Sequence, residues 1–259
     1  MEDSARLRYS RHLLLPSWDE HTQQRLLGSH VLIVGLGGLG SPAALYLAAA
    51  GIGQLTLCDP DEVELTNLQR QIALSHADIG QYKVVATAQR LSQLNPTLQL
   101  HLRPESLTQD NASTLLDGID LVLDCSDNFA TRFLLNTLCY GRRIPLVSGA
   151  VIRFRGQLTT FDFRHPGSPC YACLFPPEVL QEEEERCALM GVFSPLAGLI
   201  GTWQAGEAIK LLGEFGTSLV GRLWLLDGET SMCRELVLHR DPGCSVCGVV
   251  DQEGCQVLE

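Results

Sequence analysis

An α/β fold with a mixed sheet is predicted from three observations. Strand-like and helix-like stretches alternate through about the first 150 residues, antiparallel-type strands follow, and two Cys-x-x-C pairs lie in that second part. Strand–helix alternation marks a parallel, doubly wound sheet, because parallel neighbours need a crossover, usually a helix. One domain over 1–259 is expected, in two halves of about 1–150 and 151–259. With 45% hydrophobic and 19% charged residues, the 259-residue chain can bury a sizeable core.

The net charge of −11 argues against a nucleic-acid or anionic-membrane surface, so an anionic substrate must meet a local cluster of Arg and Lys. The start, MEDSARLRYSRHLLLP, has acids first and an apolar run too short for a signal peptide, and no segment reaches membrane-spanning length. The cytoplasm is the expected location. Ten cysteines in such a chain read as reduced thiols and metal ligands rather than disulfides.

Residues 3–29 read as helical with a break at Pro16, and Arg6, Arg8, Arg11 and His12 suit a solvated basic face. Val31–Gly40, VLIVGLGGLG, is a buried strand running into Gly35, Gly37, Gly38 and Gly40, and Ser41 and Pro42 suit the cap and first position of a helix to about Ala50. Glycines admit a phosphate to the backbone, and a helix N-terminus offers it free N–H groups, so this is a Rossmann-like nucleotide turn. Gln54–Cys58 is the second strand and ends at Asp59, where a ribose-binding carboxylate belongs; the alternative is a turn acid.

Asp61–Gln71, DEVELTNLQRQ, then Lys83 on a helix over 81–94, place Arg70 and Lys83 near the same mouth of the sheet. Two such cations suit a triphosphate. Leu98–Leu102 is the third strand, Asn111–Leu116 a short helix, and Asp120–Cys125 the fourth strand, ending in Ser126, Asp127 and Asn128. Asp127 can hold Mg²⁺ or serve the turn, and Asn128 can cap the helix over 129–140. Pro145–Ala150 is the fifth strand. Alternation over 156–163, 221–227 and 234–239 predicts antiparallel strands, with a helix over 195–212 and an irregular stretch over 176–190.

Cys170/Cys173 and Cys244/Cys247 are paired knuckles, and four thiolates make a closed, structural Zn²⁺ site. Cys58, Cys125 and Cys139 read as core residues, and Cys233 and Cys255 have no evident partner. Cys187, after EEEER, is either a reactive thiol or an unremarkable loop residue; its acidic neighbours raise a thiol pKa.

GLGGLGSP, Asp59, TNLQRQ, Lys83, LDCSDN and the two knuckles, in that order, resemble the MoeB/ThiF adenylyltransferases, relatives of the ubiquitin-activating enzymes. The resemblance runs from about Arg8 to Gly248. It implies that Mg-ATP adenylates the C-terminal Gly-Gly carboxylate of a small ubiquitin-like sulfur carrier, of molybdopterin or thiamin-thiazole type, releasing pyrophosphate. By the same resemblance Gly35, Gly37, Gly38 and Gly40 lie under the nucleotide and Asp59 holds the ribose. Thr66, Asn67, Leu68, Gln69, Arg70 and Lys83 surround the phosphates, while Asp127 positions Mg²⁺ beside Asn128. Arg11 matches an arginine given across a homodimer interface, which replaces its reading as a solvated charge. Cys187 matches a cysteine that some members join to the carrier, although Met190 departs from the usual surroundings.

The short tail after Gly248 leaves no room for an appended rhodanese domain, so a separate sulfur donor protein is expected. The competing readings are an NAD-dependent oxidoreductase, which leaves Arg70 and Lys83 without purpose, and a non-catalytic docking scaffold, which should have lost phosphate-side residues. A relative acting on a modified tRNA base fits poorly with the acidic balance.

Overall fold

The computed structural model describes residues 1–175 and 191–248. One eight-stranded sheet runs through both halves in the order β3-β2-β1-β4-β5-β6-β7-β8. Its parallel part comprises β1 (His30–Val34), β2 (Gln54–Cys58), β3 (Gln99–Arg103), β4 (Leu121–Asp124) and β5 (Leu146–Ile152). The antiparallel extension is β6 (Arg155–Phe161), β7 (Arg222–Asp227) and β8 (Met232–Val237). The expected mixed sheet is therefore present. β8 begins and ends two residues before its predicted 234–239, because it follows β7 through a tight turn that pairs Asp227 with Met232.

The helices are α1 (Asp3–Arg8), α2 (Ser10–Leu13), α3 (Glu20–Gly28), α4 (Gly40–Ala50), α5 (Lys83–Leu94), α6 (Ala112–Leu115), α7 (Phe129–Arg142), α8 (Tyr171–Leu174) and α9 (Ser194–Gly213). Alternate residues of β1 face opposite sides. Val31 and Ile33 join a core with α3, α4, α5 and α9, and Leu32 and Val34 join one with α6, α7 and the residues around Cys170. A parallel strand covered on both faces must be apolar throughout, which is why VLIV carries no alternation. No helix among the described residues is long and apolar enough to cross a membrane.

One local expectation is corrected. Ser41 does not cap α4, which begins at Gly40 after Leu39 with no side-chain cap, and Pro42 lies inside the first turn. The Ser41 hydroxyl instead donates to the Leu36 carbonyl at 3.3 Å. The tight return of the chain at the glycine turn draws Ser41 under the loop. Gly35 has φ +90°, and a Cβ added at Gly40 would lie 2.0 Å from the Gly35 carbonyl oxygen.

Gly40→Ala is expected to cost about 3 kcal/mol or more, since backbone must move to admit the methyl. Gly28→Ala, where a Cβ meets nothing within 4 Å, should stay within about 0.5 kcal/mol of wild type. Urea unfolding of the two variants checks the contrast.

Candidate functional site

β1 and β4 are neighbours, with β2 and β3 on one side and β5 on the other, so the crevice for a ligand opens at the carboxyl ends of β1 and β4. The glycine turn leaves β1 at that point. A Cβ on Gly35 would lie 2.6 Å from the Cys125 carbonyl oxygen, which seats the turn against the end of β4.

Asp59, at the end of β2, is 5% exposed. Its carboxylate accepts from the Leu36 amide at 2.7 Å and the Asp61 amide at 2.9 Å, so it holds the glycine turn in shape. Burial raises its pKa, against the pull of Lys83 and those two N–H groups. Lys83 opens α5, 6% exposed, with its ammonium 2.7 Å from Asp61 and 3.9 Å from Asp59. The sequence reading did not single out Asp61, the half of this pairing that faces water.

Arg70 converges on the same turn. A Cβ on Gly38 would lie 3.4 Å from both Cγ and Cδ of Arg70, whose guanidinium donates to the Thr66 carbonyl at 3.2 Å. Arg70 forms no ion pair among the described residues. Thr66 is exposed and donates to Glu64, and Gln69 is exposed. Asn67 is buried and accepts from the Glu64 amide at 3.0 Å, while Leu68 packs against Val63, Leu74 and Ala86. These two side chains thus build the loop that presents Arg70.

At the end of β4, Asp127 is exposed, and Asn128 caps α7 by accepting from the Thr131 amide at 2.9 Å. Beneath this turn lies a network the sequence reading missed. Asp124 accepts from the Ser126 hydroxyl at 2.6 Å and the Ser148 hydroxyl at 2.8 Å, and Arg132 lies 3.9 Å away. Burial works against the Arg132 charge, but Asp124 raises its pKa on balance. Gln204 of α9, fully buried, donates to the Asp124 carbonyl at 2.7 Å. Only the two acids DLVLDC ending in SDN hinted at this layer.

Arg11 is exposed on α2 and does not join this group. The neighbouring segment is anchored elsewhere: a Cβ on Gly51 would touch the Tyr9 ring, Asn95 donates to the Tyr9 hydroxyl, and Arg8 donates to the Leu94 carbonyl. Those contacts lie at the C-termini of α4 and α5, opposite the glycine turn. Cys187 lies outside the described residues, as do Met190, Cys255 and the stretch 176–190.

Cys170, Cys173, Cys244 and Cys247 bring their sulfurs within 4.8 Å of one another. Individual separations are 3.5 Å (Cys170–Cys244), 3.9 Å (Cys170–Cys173) and 3.3 Å (Cys173–Cys247), too long for disulfides. They approach the ~3.8 Å expected of four sulfurs around one tetrahedral ion. The four thiols can hold a metal ion, and they join the end of the chain after β8 to the segment after β6. Cys58, Cys125 and Cys139 are buried, and burial pushes the Cys58 thiol up to about 12 and raises the other two.

The fold and site define a doubly wound α/β protein with a glycine turn at the mouth of its parallel sheet, an antiparallel extension and a four-thiol knot. Residues 9–246 match the ThiF family, and the chain belongs to it. It is 44% identical to the molybdopterin-synthase adenylyltransferase of Salmonella typhimurium over 96% of this chain and 98% of that one. It is 46% identical to the sulfur carrier protein ThiS adenylyltransferase of Escherichia coli, over 96% and 97%. Among solved structures, E. coli MccB with MccA has the same fold, with TM-score 0.83 and 23% identity over 93% of this chain and 74% of that one.

Lys83→Met would leave Asp59 buried without its cation, at a cost of about 3 kcal/mol near neutral pH. Lys83 holds the raised Asp59 pKa down, so its loss raises that pKa further; the deficit is full above the variant's pKa and shrinks as falling pH protonates the acid in the variant before wild type. Urea midpoints of wild type and variant from about pH 8 to about pH 4 should therefore converge on the acid side.

Proposed function

We propose that this chain adenylates the C-terminal Gly-Gly carboxylate of a ubiquitin-like sulfur carrier protein, using Mg-ATP and releasing pyrophosphate. It is an enzyme of the nucleotidyltransferase type. The observation that carries the reading is Arg70, a guanidinium without an acid partner among the described residues, laid across Gly38. An ion-paired arginine would have little charge left to offer a phosphate. The unpaired one, with Lys83 nearby, offsets the charge that otherwise repels an incoming carboxylate.

In the proposed reaction a carboxylate oxygen of the carrier attacks the α-phosphorus of ATP, and the bond to the β-phosphate breaks. The electron pair leaves with pyrophosphate. No proton moves, because the nucleophile is already ionised, which accords with a site holding cations and acids rather than a His or Ser dyad. The glycines Gly35, Gly37, Gly38 and Gly40 let the nucleotide approach the backbone. Asp59 offers its remaining lone pairs to the ribose, and Thr66, Asn67, Leu68 and Gln69 shape the phosphate side beside Asn128. Lys83 is drawn from Asp61 towards the phosphates. Asp127, exposed at this edge, would hold Mg²⁺, which when bound neutralises phosphate charge.

The cysteine tetrad would hold Zn²⁺ as a closed structural site. Arg11 serves a neighbouring copy in a homodimer: its own segment is anchored at the far edge of the sheet, and Leu7, Leu14 and Leu15 around it are 78%, 74% and 49% exposed. Such an apolar patch suits burial against a second chain. The loaded carrier receives sulfur from a separate donor protein, with the whole process in the cytoplasm. Cys187 is kept as a candidate for covalent attachment of the carrier.

ATP–pyrophosphate exchange should depend on a carrier ending in Gly-Gly, assayed with both the molybdopterin and the thiamin type. Arg70→Ala should lower exchange roughly 10²–10³-fold with an unchanged unfolding profile. Exchange at wild-type rate in that variant, or none with any carrier, would overturn the reading.

A mixture of inactive Arg11→Ala and Asp127→Ala chains tests the homodimer. Random reassortment leaves one intact site in half of the dimers, so roughly a quarter of wild-type exchange should return. No recovery after verified subunit exchange would remove Arg11 from the partner's site.

A further inference from the structure

A line of buried polar side chains connects the end of β4 with the cysteine tetrad. Arg132 and Asn136 lie one turn apart on the same face of α7, whose first turn is capped by Asn128. Arg132, 5% exposed, donates to the carbonyl of Ser126, the residue before Asp127, and faces the carboxylate of Asp124. The Tyr171 hydroxyl lies close enough to the guanidinium for each to feel the other's charge. Asn136, fully buried, accepts from the Tyr171 amide at 2.8 Å. Tyr171 follows Cys170 directly, so it belongs to the chain segment that carries two of the four thiols.

Three buried polar atoms without a hydrogen-bond partner among the described residues fall in this one line: Arg132 Nη1, Asn136 Nδ2 and the Tyr171 hydroxyl. Leaving such atoms unmatched is unfavourable, and an apolar side chain at residue 132 would fill a core more cheaply than a guanidinium. The network is thus poised to gain from small shifts at either end, and its ends are the nucleotide-side turn and the thiols.

We propose that Arg132 is a positioning residue for the turn Ser126–Asn128, and that Tyr171 couples it to the cysteine tetrad, so that metal at the thiols and Mg-ATP at the turn stabilise each other. This rests on Asp127 lying at the Mg-ATP site. Coupling of this kind is reciprocal: if ordered thiols help to hold the turn, nucleotide at the turn must help to hold the metal. Tyr171→Phe removes the hydroxyl and keeps the ring in its packing.

The test uses zinc-loaded, full-length protein and follows zinc release to a chromogenic chelator with and without saturating Mg-ATP, whose binding is measured separately by calorimetry. In wild type, Mg-ATP should slow release roughly fivefold or more, and in Tyr171→Phe at saturation the ratio should fall towards one. Arg132→Lys keeps the charge but loses the planar fork, and should raise the Mg²⁺ concentration needed for half-maximal exchange more than it lowers the maximal rate. Equal protection in wild type and Tyr171→Phe would overturn the coupling, as would no protection in wild type that binds Mg-ATP. The Tyr171→Phe comparison stands even if Arg132→Lys does not fold. Wild-type protein that failed to bind Mg-ATP would overturn the adenylation reading itself, and this inference with it.

Discussion

The Gly35 carbonyl oxygen occupies the space where a side chain at residue 40 would begin. This backbone-on-backbone contact forces the chain to fold back within five residues of leaving β1, and much of the site depends on it. It sets the first turn of α4 over the end of β1 and brings Gly35 against the end of β4. Asp59 then clamps the turn through the Leu36 amide. A cradle made of backbone and held by a buried carboxylate needs little rearrangement to receive an anion, which is where preorganised sites gain their advantage.

Charge around the cradle is arranged by depth. The buried ionic groups are compensated: Lys83 by Asp59 and Asp61, Arg132 by Asp124, and, farther off, Glu207 by Lys210 with further bonds from Thr160 and the Leu219 amide. Charges removed from water need such partners. Arg70, half-buried over Gly38, has none among the described residues. In a chain of net charge −11 this leaves a positive charge beside the glycine turn that no neighbouring acid among the described residues offsets.

The antiparallel half completes the sheet and ties its loose end. β6, β7 and β8 extend it beyond β5, and the four thiols join the stretch after β8 to the stretch after β6. The thiols also enter the second core beside Phe161, Phe163 and Cys139. α9 supports the same region from the other face, where Gln204 reaches the Asp124 carbonyl and the Val147 carbonyl, at 2.7 and 3.3 Å. The site's lower layer therefore draws on elements from both halves of the chain.

The elements of the sheet were legible from local signals: unbroken apolar runs for buried parallel strands, alternation for β6 and β7, and glycine spacing for the turn. The thiol tetrad was equally plain, because two Cys-x-x-C pairs carry their own geometry. Arg70 and Lys83 could be picked out by charge and position. Their different states could not, since Lys83 is ion-paired and Arg70 has no acid partner among the described residues, and pairing depends on which acids the fold brings near. Ser41 shows the limit at short range, as its bond to Leu36 arises from a loop returning on itself. Arg132, Asp124, Asn136 and Tyr171 show it at long range, being ordinary residues until α7 packs between the sheet and the thiols. Sequence by itself determined the strands, the glycine turn and the meeting of the two cysteine pairs, because those follow from residue type and spacing. Tertiary structure alone decided which polar groups meet in the interior, because a buried charge takes its meaning from partners far away in the chain.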